Sequence, residues 1–342
     1  MIELKTDTLD FSFPDIHPNA KISINFQRTL RIPDDENTYP LPPGLGSFPL
    51  KHIDDYKVPA DWIKHGGVML PMYQSEALWI NFSTNYIYDR RTDYPFAVKV
   101  ATGKINALTG KSWKDSLDKT QQDYMVSTKQ PWLDGYCIEK DIIRQFVAMP
   151  LGSGYSAEEQ ITGEAEHGGI QIIVYPMKPE IFEKRFPKID LEEESRIRYQ
   201  MASPGVCYSM PAPPVDMGLA PGGKMHQEIY DDPFDFDDWD QNAGSRCFIH
   251  IANSLMWRAI TGNNAPTVPF TAKEYTDHDL PWFDYYDDNS ITLDGSSVLN
   301  KMKSVIQKGH EKCENPLPEN EAVSPEKIIK ILPSNQVREG VF

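Results

Sequence analysis

Apolar and polar residues alternate with a period of two through much of the first half of the chain, the pattern of half-buried strands. ISINF (22–26) shows it throughout, and ALWINF (77–82) over part of its length. FAVKVATGKINAL (96–108) reads as a hairpin, two short β-rich runs flanking Thr102-Gly103-Lys104. RQFVAMPL (144–151) and GIQIIVYPM (169–177) are two further strands. The second is apolar at nearly every position and so predicts a strand buried on both faces. Between the early strands, the prolines and glycines of YPLPPGLGSFPL (39–50) predict an ordered wrapping loop.

Helical patterns are few and short. KPEIFEKRF (178–186) carries a proline in its first turn and stops before Pro187. NSLMWRAITG (253–262) starts on an Asn/Ser cap and ends at glycine, and TAKEY (271–275) holds a capping box, Thr271 with Glu274. SSVLNKMKSVIQKG (296–309) predicts one longer helix, capped by Ser296 or Ser297 and closed by Gly309. Its Val298, Leu299, Met302, Val305 and Ile306 form a single apolar stripe. Beyond Gly309 the chain turns polar and proline-bearing, then ends with a short capped segment, SPEKIIKIL (324–332). The organisation expected is one compact domain over 1–309 and a linker and docking arm over 310–342.

The stretch 199–242 is rich in Pro, Gly, Met and Asp and almost without periodicity, so it predicts a long functional loop. It contains GLAPGGKM (218–225), which spells most of a phosphate-binding loop. The spelling lacks the chemistry. Met225 cannot hold Mg²⁺, Pro221 removes an amide from any phosphate nest, and PAPPVDM ahead of it does not suit a central parallel strand. A glycine-proline turn is the expectation.

Composition narrows the classes. Of 342 residues, 40% are hydrophobic and 25% charged, as in ordinary globular proteins. With 34 Lys and Arg against 50 Asp and Glu, the net charge is −16. That field disfavours nucleic acid and anionic membranes and suits cations or basic protein surfaces. No apolar run approaches the 18 or so residues of a membrane span, and the N-terminus has no basic start leading into an apolar run. Cys137, Cys207, Cys247 and Cys313 form no C-x-x-C, which predicts free thiols in a reducing cytoplasm.

Several constellations are candidates for chemistry. His226 and Glu228 have the H-x-E spacing that puts two ligands on one side of a strand, with His250 or His278 as a distal ligand for iron and Arg258 for an acidic co-substrate. The bland alternative is exposed loop residues and a hydrogen-bonded core histidine. Asp238, Asp240 and Asn242 have the 1-3-5 spacing of a Ca²⁺ or Mg²⁺ loop, but Ala243 and Ile249 stand where such a loop needs Gly and Glu. Asp235, Asp237 and Trp239 of the same run suit a basic partner surface, or else a solvated loop anchored by its aromatics. Glu164, Glu166 and His167 are an acid–base candidate set against a plain turn, and His310 with Cys313 lacks the second pair zinc needs. Trp282, Phe283 and Tyr285 in DLPWFDYYDD (279–288) fit a partner platform and equally a clamp on the helix that follows.

QPWLDGY (130–136), RQFVAMPLGSGY (144–155), GGIQIIVYPMK (168–178) and TAKEYTDHDLPWFDYYDD (271–288) resemble a family of uncharacterised, mainly bacterial soluble proteins. With FQRTLRIPDD (26–35) and PMYQSEALWINF (71–82), the resemblance reaches to about residue 290. It implies one intact unit and carries no activity, cofactor or catalytic residue. The sequence therefore leads to a β-rich α+β protein, mostly antiparallel, in the cytoplasm. Its expected function is non-enzymatic: binding a protein partner or assembling into a homo-oligomer through the acidic loop and the arm, with no cofactor. The alternative is an enzyme of the non-haem iron type at His226, Glu228 and His250.

Overall fold

The computed structural model describes residues 1–35, 37–189, 216–285, 290–315 and 320–331. In chain order its main strands are β1 (Ile2–Lys5), β2 (Thr8–Ser12), β3 (Lys21–Thr29), β4 (Val68–Met72), β5 (Ala77–Thr84), β6 (Phe96–Thr102), β7 (Ile142–Pro150), β8 (Ile170–Pro176), β9 (Met217–His226), β10 (Ser245–Asn253), β11 (Trp282–Tyr285) and β12 (Ile328–Ile331). A ten-stranded sheet runs β1-β2-β3-β5-β7-β9, completed by short strands, among them Thr38–Tyr39 beside β9. A seven-stranded sheet carries β6-β8-β10-β4. Pairing is largely antiparallel; β10 with β4 is a parallel exception. Residues of both sheets enter one hydrophobic cluster, with Ile24 and Phe26 of β3 in the same core as Val98 of β6 and Ile172 of β8.

The β-rich, mostly antiparallel architecture agrees with the alternation in the sequence. β3, β5, β7 and β8 lie where their patterns predict, and every residue of β8 is buried. Gly103 and Lys104 turn the hairpin after β6 with φ of 52° and 58°, the left-handed pair that a two-residue hairpin needs. α3 (Pro179–Arg185), α4 (Ser254–Thr261) and α5 (Ala272–Asp277) form with the caps anticipated, Asn253 and Thr271 accepting from the backbone three residues on.

Three expectations are corrected. GLAPGGKM is not a turn but the body of β9, an antiparallel strand on β7. The ladder slips there: Phe146 faces Pro221 and Arg144 faces Lys224, so Gly222 and Gly223 share Gln145 as a bulge. Side chains have no room at either glycine; a Cβ would stand 2.5 Å from Val147 at Gly222 and 2.2 Å from the Pro33 carbonyl at Gly223. The glycines that hide the strand from pattern reading are what let it pack. The loop expected over 199–242 is thus a strand and an ordered acidic turn from 216 onward, and its residues before 216, Cys207 among them, lie outside the described residues.

The helix over 296–309 is two helices, α6 (Ser297–Asn300) and α7 (Val305–Glu311). Ser304 and Gln307 form a capping box that starts a new helix, and Gly309 lies inside α7 rather than closing it. Leu299, Met302 and Val305 are buried, whereas Val298 is exposed. Replacing Ser304 with Ala is expected to cost about 1 kcal/mol, read as a lower midpoint in urea unfolding. Finally, SPEKIIKIL contributes β12, parallel to β11, rather than a capped turn. The wrapping loop of 39–50 is irregular apart from Tyr39, which ends the short strand beside β9, and Gly44–Ser47, which adds a short strand to β3.

Candidate functional site

The iron constellation does not converge. β9 belongs to the larger sheet and β10 to the smaller. Asp216, just ahead of β9, bridges Ala252 near the end of β10. His226 lies ten residues further along β9, on the order of 30 Å at strand rise. His226 is exposed, Glu228 accepts from the Tyr230 hydroxyl at 2.8 Å, and between them Gln227 is buried. His278 caps the C-terminus of α5 and Arg258 sits in α4. Among the described residues, no group of three or more His, Cys, Asp or Glu is placed to hold a metal ion.

The aspartates are engaged by protein donors. Asp235 and Asp238 form a capping box around a short 3₁₀ turn, and Arg185 Nη2 bonds both, at 2.8 and 2.7 Å. Asp237 lies at the surface with Lys119, and its carbonyl accepts from Lys178 at 2.6 Å. Asp232 accepts from the Tyr124 hydroxyl at 2.6 Å and the Trp239 indole at 2.8 Å, and burial raises its pKa. Asp240 accepts from the amide of Asn242 at 3.0 Å in an exposed turn, whereas Asp238 is buried and bonded to Arg185. Trp239 is buried, which makes this run an internal clasp with an acidic rim.

Trp282 is likewise buried, against Tyr39 and Tyr275. Phe283 exchanges backbone bonds with Leu41 at 2.8 and 2.9 Å, and Tyr285 packs on Trp132. These aromatics fasten the β11–β12 ribbon to the body. The contact over Gly163–Gly168 is also internal: the buried Glu158 carboxylate accepts from the amides of Glu166, His167 and Gly168 at 3.0, 2.9 and 2.9 Å. Glu166 and His167 stand 3.6 Å apart on that pinned turn. His310 lies in α7 and Cys313 just past it, exposed.

One cluster of titratable groups is drawn together by the fold, and only His250 and His167 in it stood out in the sequence. α1 (Ala60–His65) ends at Gly66, and Gly67 follows with φ of 95°. A Cβ at Gly67 would lie 2.0 Å from the Phe248 carbonyl, so glycine is what lets β4 run beside β10. This brings the His65 ring flat onto Phe248, centroids 4.8 Å apart and 5° from parallel. Phe248 and His250, two apart on one face of β10, stack at 4.3 Å, and His250 stacks on Trp62 at 4.6 Å. His250 Nε2 donates to the Gly66 carbonyl at 3.1 Å, and the Trp62 indole donates to Asp216 at 2.9 Å.

Burial sets the electrostatics. It lowers His250 to about 4, against the Gly66 bond, and raises Asp216 to about 6, against the bonds from Trp62 and Met217. Near neutral pH, His250 is therefore a neutral ring held by its neighbours. His65, at the exposed end, is lowered by burial and then by the positive charge of His167, Lys104 and Lys64. The pair Gly66-Gly67 after a helical His was the sequence signal for this junction, but nothing in the pattern tied it to β10. No family model, no curated protein and no solved structure matches this chain.

Proposed function

We propose that the protein works by binding, pairing with a second copy of itself through the edge of β12. The observation that carries this is an exposed run of isoleucine on an edge strand. Ile328, Ile329 and Ile331 are 46, 44 and 38% exposed, and among the described residues β12 pairs only with β11. Such an edge offers backbone donors and acceptors to another strand. The ribbon is anchored: buried Trp282 bonds back to Lys327 through its amide at 2.9 Å, and Leu41 holds Phe283. Two β12 strands related by a two-fold axis can pair antiparallel with Ile329 against its own copy and Ile328 against Lys330. In that register no like charges meet, and the ribbons become a four-stranded sheet. Of the two surfaces expected for assembly, the acidic loop and the arm, this reading keeps the arm, since Trp239 is buried and Asp235 and Asp238 are bonded to Arg185.

Native mass spectrometry of the untagged full chain tests it. A dimer is expected, and Ile329→Lys is expected to raise its dissociation constant about tenfold, the equivalent of about 1.4 kcal/mol. Because each copy carries −16, added salt is expected to strengthen the dimer by screening repulsion. A monomer at concentrations up to about 100 μM, or a dimer indifferent to Ile329→Lys, overturns the proposal.

A further inference from the structure

Where the β3–β5 ladder ends, with Ile22 facing Thr84, the larger sheet opens into a cleft of about 420 Å³. The chain on either side of that last pair makes its two walls, Asn19 and Lys21 on one and Asn85, Tyr86, Tyr88 and Asp89 on the other. Its volume is that of a small-ligand site.

The tyrosines are presented outward by a turn that is fixed from within. Tyr86–Ile87 pairs antiparallel with Thr92–Asp93, and the Thr84 hydroxyl ties the base of the turn to Asp93 at 2.7 Å. Ile87 is buried, so its neighbours on either side face solvent, Tyr86 51% and Tyr88 74% exposed. Their rings meet edge to face, centroids 5.2 Å apart and 83° between planes. Arg90, two residues on, is buried; it donates to the Phe186 carbonyl at 2.5 Å and to Glu183 at 2.7 Å, over the Phe182 ring. A platform held in this way loses little freedom when a ligand lands on it.

The polar groups of the cleft decide the ligand class. Among the described residues, the side chains of Asn19, Lys21, Asn85 and Asp89 and both tyrosine hydroxyls have no protein partner, in contrast to the engaged carboxylates of the acidic run. One cation and one carboxylate leave the cleft without net charge, and a chain of −16 repels anions. The two amides and the hydroxyls both donate and accept, as a sugar hydroxyl does. An exposed tyrosine ring adds an apolar face with a wet rim, the counterpart of a pyranose with its C–H face and its equatorial hydroxyls. A polyproline segment would use the rings, but its backbone has no N–H to offer Asp89 or the amide carbonyls.

We propose that this cleft binds a neutral saccharide, a pyranose stacked on Tyr88 with its hydroxyls bonded to Asn19, Asn85 and Asp89. The site shares no residue with the β12 edge, so the loss of either leaves the other intact.

Calorimetry on the full chain tests it, with maltotetraose, cellotetraose, xylotetraose and chitotetraose as neutral probes and tetragalacturonate as the anionic control. At least one neutral probe is expected to bind with a dissociation constant below about 1 mM, and tetragalacturonate at least tenfold more weakly, roughly 1.4 kcal/mol. Tyr88→Ala, at a position that leaves the core untouched, is expected to weaken the best probe about tenfold or more, whereas Tyr88→Phe, which keeps the ring, holds it within about threefold. No binding of any neutral probe, affinity unchanged in Tyr88→Ala, or tetragalacturonate bound as tightly as the best neutral probe each overturns the proposal. Binding of a decaproline peptide in place of the saccharides would overturn it as well, and would assign the tyrosines to a peptide.

Discussion

Asp134→Asn is expected to stabilise the protein above neutral pH by roughly 2–4 kcal/mol, the scale of a fully buried carboxyl displaced by some three pKa units. Asp134 is 3% exposed, and burial raises it to about 7, opposed by its hydrogen bonds, among them that from Gln227 Nε2 at 2.8 Å. The folded state thus holds the proton more tightly than the unfolded chain, whose aspartates titrate near 4. Below about pH 4 both states carry it and this group costs nothing. Between about pH 4 and 7 unfolding releases the proton, so stability falls as pH rises, and above about 7 the whole penalty is present. Asparagine keeps the acceptor for Gln227 and never ionises. Urea unfolding at pH 5 and pH 8 reads the difference: the advantage of the variant is expected to be about 2 kcal/mol larger at pH 8. An advantage equal at both values would place the charge of Asp134 elsewhere than in a buried site.

Lys99→Met is expected to cost about 3–5 kcal/mol, the range for removing one partner of a buried ion pair. Lys99 is 2% exposed in the middle of β6, its ammonium 2.6 Å from Asp123 and 2.7 Å from the Ser116 carbonyl. Methionine fills the volume but leaves the Asp123 carboxylate facing a dry interior, over a position where the Trp113 ring also lay against the ammonium. Adding Asp123→Asn removes that charge while keeping an acceptor for the Asp118 amide, which bonds Asp123 at 3.0 Å. The double variant is expected to recover most of the loss. Thermal and chemical unfolding of the four proteins in the cycle give the coupling energy, and two single losses that simply add would refute the pairing.

Lys99 also shows how much of the fold the sequence exposes. FAVKVAT reads as a strand because its apolar residues alternate or adjoin, and it is one. That its lysine is buried depends on Asp123, twenty-four residues away along the chain, which no local pattern reports. The strands that were legible are those with β-branched and aromatic residues on a regular pleat, and the legible helices are those with a side-chain cap. β9 was not, because the glycines of its bulge and Pro221 erase the period of two that identifies a strand. The break between α6 and α7 was not, because one apolar stripe spans both and only the Ser304–Gln307 cap divides them. His250 was legible as an imidazole in an apolar run, but its neighbours His65 and Trp62 of α1 and Asp216 ahead of β9 come from two other segments, and no local pattern ties them to β10.

The β4–β10 pairing has a consequence for how the chain is made. β4 and β10 run parallel with Val68 beside Ile249, so the ladder joins residues about 180 positions apart. At a ribosomal rate of about 5–20 residues per second, β4 emerges roughly 10–40 s before its partner exists. Through that interval Met69, Leu70 and Met72, all fully buried at the end, have no strand to cover them on that side. The smaller sheet is therefore closed late, and the nascent chain is the form of this protein most in need of a chaperone.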